Sequence, residues 1–91
     1  MNTHPELRID VTMQDIQKGQ PKTACDCPVA LAIKRNPKVV NAIVTYDKIT
    51  VFIHDQAWYD MEVPEIVGHF LNKFDRYELV EPFSFTLDLT K

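Results

Sequence analysis

The stretch Cys25-Asp26-Cys27-Pro28-Val29-Ala30-Leu31-Ala32-Ile33 constrains the fold of this chain most, because a polar loop turns there into an apolar helix with proline at its first position. Pro28 has no N–H to leave unpaired and its φ is already helical, so it suits the first turn and makes Cys27 the N-cap. The helix is predicted to run to about Arg35, with Lys34 and Arg35 at the negative end of its dipole and Asn36-Pro37 as its stop. Val29, Leu31 and Ile33 are then expected to fill the core. Both thiols lie where backbone N–H groups and the positive end of the helix converge, an environment that favours thiolate or a bound anion. The leading reading of a cysteine here is nonetheless a small buried side chain packed at the helix start.

Hydrophobic period assigns the remaining elements. Leu7 to Val11 alternate as a half-buried strand, and Thr12 caps a short helix over Met13 to Lys18, with Asp15 closing a variant capping box and Gly19 as the stop. Residues 20–26 read as loop. Val40, Ala42 and Val44 share one face of a strand that turns near Tyr46-Asp47-Lys48 into a second, with Ile49, Val51 and Ile53 on one face. After a turn at Asp55-Gln56, Ala57 to Glu62 can add a third strand. Beyond Pro64 the residues Ile66, Val67, Phe70, Leu71 and Phe74 recur at helical spacing, and Tyr77 extends the stripe. Phe83, Phe85, Leu87 and Leu89 alternate with polar residues as a last strand. The predicted class is α+β: a small, mostly antiparallel sheet of four to five strands with about three helices on one face, in the order β-α-α-β-β-(β)-α-β.

Ninety-one residues make one domain with a single modest core. A net charge of −3 argues against direct nucleic-acid binding, which needs clustered Lys and Arg. No apolar run reaches the roughly 20 residues of a membrane span, and the polar start Met1 to Glu6 has no signal-peptide core. No membrane partner and a cytoplasmic location are therefore expected. Cys25 and Cys27, one residue apart, are a poor disulfide framework and are expected to stay reduced.

Four blocks, Val11-Thr12-x-x-Asp15-Ile16-x-x-Gly19, Cys27-Pro28-Val29-Ala30-Leu31-Ala32-Ile33, Phe74-Asp75 and Val80-Glu81-Pro82-Phe83-x-Phe85-x-Leu87, stand in order along the chain. In these the sequence resembles a group of small uncharacterised proteins encoded by bacteriophages and actinobacteria. The resemblance implies a phage or mobile-element origin, hence the cytoplasm of a host cell, and implies no activity. Members of that group approach the Cys-Pro helix with more widely spaced cysteines than Cys25-x-Cys27, a departure that weakens a metal reading.

Zinc would need Cys25 and Cys27 together with His54 or His69, but the thiol spacing is short and there is no second pair. No metal and no cofactor are expected. His4 lies in the terminus, His54 at a strand end and His69 beside the apolar stripe, each placed as a surface residue rather than as the base of a nucleophile. Asp60, Glu62 and Glu65 read as a solvated acidic loop beside Trp58 and Tyr59. There is no glycine-rich phosphate loop, serine elbow or paired-carboxylate cleft, so no catalytic residue is assigned. Tyr46, Phe52, Trp58 and Tyr59 exceed what so small a core needs, which favours a non-enzymatic interaction module binding a host or viral protein through a sheet face or edge. The alternative is a thiol-dependent enzyme or redox sensor with Cys27 reactive and Cys25 resolving. The last strand, apolar on one face, is expected to be central or covered in the monomer, or else to pair across a homodimer.

Overall fold

Strict alternation builds the first sheet. In the computed structural model, which describes residues 6–53 and 57–89, β1 (Glu6–Val11) pairs antiparallel with β5 (Phe83–Asp88), setting Leu7 opposite Leu87 and Ile9 opposite Phe85. His4, His54 and the expected turn at Asp55-Gln56 lie outside the described residues. β2 (Val39–Val44), β3 (Lys48–Ile53) and β4 (Ala57–Glu62) form a second antiparallel sheet in that order. With α1 (Met13–Lys18), α2 (Pro28–Lys34) and α3 (Glu65–Asp75), the fold is α+β in the order β-α-α-β-β-β-α-β, its strands divided between two sheets. The apolar face of β5 is covered within the chain: Phe85, Leu87 and Leu89 are all buried.

Helix α2 joins the two sheets, packing on β2 as well as on β1 and α1. Cys27 is its N-cap, with Sγ accepting the Ala30 N–H at 3.4 Å. The face it buries is Val29, Ala30 and Ile33, with Ala32, while Leu31 is only half-buried. The expected core triplet Val29, Leu31, Ile33 has a period of two, and on a helix that period turns its middle member away from the core. A bulge corrects the first hairpin strand in the same way. Val39 pairs with Ile53 and Asn41 with Phe52, so Val40 is the extra residue and stands 58% exposed. Val39, Ala42 and Val44, not Val40, supply the inward face of β2.

In α3 the buried side chains are Val67, Phe70 and Leu71, with Phe74 half-buried and Ile66 exposed. Phe70 lies 4.9 Å from Phe83, and Phe83 5.7 Å from Phe85, between ring centroids, tying α3 to β5. The stripe stops at Phe74. Tyr77 N–H donates to the Phe74 carbonyl and Glu78 N–H to the Lys73 carbonyl, both at 3.0 Å, the bonding pattern of a Schellman cap. Tyr77 takes the left-handed position of that cap with φ 62°, and there it is 77% exposed instead of extending the apolar face.

The capping box of α1 forms as expected: Asp15 N–H donates to Thr12 Oγ1, and Asp15 Oδ2 accepts the Thr12 N–H at 2.9 Å. Asp15 is buried, and Arg35 donates to both of its oxygens at 2.6 and 3.0 Å. Burial pushes the Asp15 carboxyl up, but the hydrogen bonds from Arg35 and Thr12 together outweigh it and hold the group below its ordinary value. A carboxyl lowered on folding stabilises the protein above its unfolded value of about 4 and loses that contribution as pH falls through the lower folded value. Asp15→Asn is accordingly expected to cost about 1–3 kcal/mol near neutral pH in urea unfolding. The gap between wild type and variant should close on acidification, and an equal gap throughout would refute this account of Asp15.

Candidate functional site

Three segments far apart in sequence enclose an open cleft of about 620 Å³: the loop carrying Lys22 to Ala24, the β2–β3 turn from Val44 to Tyr46, and the end of α3 from Leu71 to Tyr77. Cys27, Val44 and Leu71 supply its apolar wall, and Tyr46 and Tyr77 its aromatic rim. The loop is held in place by backbone bonds, Val44 N–H to the Ala24 carbonyl at 2.8 Å and Gln20 N–H to the Asp26 carbonyl at 2.8 Å.

Asp75 ties the three segments together. Its Oδ1 accepts the Lys22 backbone N–H at 2.9 Å, and its Oδ2 accepts the Tyr46 hydroxyl. That bond, with partial burial and the negative charge of Asp75 added to it, pushes the Tyr46 phenol up to about 12, so it remains a donor at neutral pH. The Lys22 ammonium rests 5.9 Å over the Tyr77 ring. Pro21 and Lys22 are the central residues of a turn, and Lys22 has φ 63°, the position where a type II turn takes glycine.

The thiols separate. Cys25 is exposed, and its carbonyl accepts from Lys34 Nζ at 2.6 Å. Cys27 is 2% exposed. Burial pushes its thiol up, the Ala30 and Val29 N–H groups pull the other way without offsetting it, and the charge of Asp75 raises it further. Cys27 is thus a small buried side chain packed at the helix start, and the thiolate is disfavoured there: the N–H groups are present, but loss of water outweighs them. Alkylation of the native protein is expected to modify Cys25 readily and Cys27 only once the chain is denatured. Rapid labelling of Cys27 under native conditions would contradict its placement.

The four aromatic residues singled out from the sequence do not share one surface. Phe52 and Trp58 are cross-strand partners on the outer face of the β2–β3–β4 sheet, where Trp58 is 59% exposed. Tyr59 opposes Val51 on the other face and packs against the core. Tyr46 is at the cleft. The acidic residues are also dispersed: Asp60 accepts the Thr50 hydroxyl at 2.6 Å and lies 3.7 Å from Lys48 Nζ, while Glu65 begins α3. His69 is exposed on α3. Among the described residues no three His, Cys, Asp or Glu side chains gather as a metal site, and no helix is long and apolar enough to cross a membrane.

Sequence reasoning missed Lys22, Asp75 and Tyr77 as parts of one site. Asp75 bonds the backbone of a residue 53 positions away, a contact with no periodicity or local spacing to announce it. The single local signal was the Pro21-Lys22 pair, which marks a turn but not what the turn faces. Compared with protein families, with curated proteins and with solved structures, the chain matches none.

Proposed function

We propose that the protein is a non-enzymatic interaction module, of bacteriophage type and acting in the cytoplasm of a bacterial host, that binds a host or viral protein on the outer face of the β2–β3–β4 sheet. The observation that carries this reading is Trp58, a large apolar side chain left mostly in water beside its cross-strand partner Phe52. An exposed tryptophan beside a half-buried phenylalanine suits the anchor of a protein interface, and polar neighbours such as Lys48, Asp60 and Glu62 on the same strands supply a rim. The resemblance to phage-encoded proteins supports the origin and the location. The thiol-dependent alternative finds no support in Cys27, which is buried and held as the thiol.

The test is affinity capture from a bacterial host lysate with wild type and Trp58→Ala in parallel. A partner recovered by wild type should be lost with Trp58→Ala, because truncating an interface anchor costs about 2 kcal/mol or more of binding. Recovery that does not depend on Trp58, or no partner together with turnover in a substrate screen, would overturn the proposal.

A further inference from the structure

We propose that the cleft between the Lys22 loop, the β2–β3 turn and the end of α3 binds a small, flat, apolar monocarboxylate, with its body against Leu71, Tyr46 and Tyr77 and its carboxylate on the Lys22 ammonium. This site is separate from the Trp58 face and stands independently of it. A cleft of about 620 Å³ with a mostly apolar wall and a few converging polar groups falls within the size range of small-molecule sites.

The charges select the ligand class. Both oxygens of Asp75 are taken, one by the Lys22 N–H and one by the Tyr46 hydroxyl. Arg76 is engaged with Glu78 at 3.3 Å. Among the described residues the Lys22 ammonium has no carboxylate partner and rests instead on the Tyr77 ring. With Arg76 paired to Glu78 and both oxygens of Asp75 taken, the Lys22 ammonium is the cleft's one charge without a counter-ion among the described residues, and a single carboxylate matches it. A cationic ligand would meet the repulsion of the Lys22 ammonium and compete for a carboxylate already bonded on both sides.

Backbone conformation singles out the same two residues. Lys22 and Tyr77 are the non-glycine residues with positive φ among those described, and both contribute to this cleft. Each takes a left-handed position that glycine fills without strain. Long side chains are held there against the backbone preference, at the two places where they meet across the cleft mouth.

Calorimetric titration with naphthoate, its neutral amide and naphthylmethylammonium tests the proposal on the full chain. Naphthoate should bind at least about tenfold more tightly than either of the others. Lys22→Gln should abolish that preference and Lys22→Arg retain it. Tyr77→Gly relieves the left-handed strain, so its melting temperature should equal or exceed that of wild type while its affinity for naphthoate falls. A structural role alone would not separate the two readouts. Equal or tighter binding of the ammonium probe, no binding of any probe at millimolar concentration, a carboxylate preference that survives Lys22→Gln, or full affinity in Tyr77→Gly would each overturn it.

Discussion

Replacing Ile33 by alanine is expected to lower the unfolding free energy by about 2–5 kcal/mol, through lost transfer energy and the cavity left behind. Ile33 is fully buried on α2, the helix that packs against strands of both sheets, so neighbours on either side would have to move to fill the void. Against the roughly 5–15 kcal/mol that holds domains together, this is a large fraction for a chain of this size. Leu31→Ala, two residues earlier on the same helix, should cost clearly less because Leu31 already faces water in part. Urea unfolding of the two variants side by side is the measurement. A larger loss from Leu31 would mean that the helix is rotated from the orientation described.

Gly19→Ala is expected to be as damaging, at about 3 kcal/mol or more, although a helix end would ordinarily tolerate alanine. The backbone conformation of Gly19 is not the reason, since its φ of −67° and ψ of 153° are open to any residue. An added Cβ would lie 2.5 Å from Pro28 Cδ and 2.6 Å from Pro28 N. The proline ring cannot rotate away, and its nitrogen belongs to the first turn of α2, so relief requires the start of that helix to shift. Gly68→Ala is the contrast: nothing lies within 4 Å of its added Cβ, and alanine in mid-helix should gain about 0.5–1 kcal/mol. Thermal or urea unfolding of both should move in opposite directions, and a neutral Gly19→Ala would refute the close approach.

That pair of glycines shows where local pattern stops being informative. Gly19 was expected to end α1 and does sit at the helix end, but what requires glycine there is a proline that arrives from the next helix. The sequence by itself determined the elements whose causes are local. Alternation set β1 and β5, spacing after Pro64 set α3, the Thr12–Asp15 pair set the start of α1, and Pro28 set that of α2 with Cys27 as its cap. These depend on periodicity and on backbone groups within a few residues, both written in the neighbouring letters. Tertiary structure alone decided the division of the strands between two sheets and the bulge that turns Val40 outward. It also decided the cleft, because Lys22, Tyr46 and Asp75 become neighbours only when the loop, the hairpin turn and the end of α3 come together. Burial and long-range hydrogen bonds are properties of the assembled chain, and a residue's own neighbours in sequence do not encode which partner, 29 or 53 positions away, will reach it.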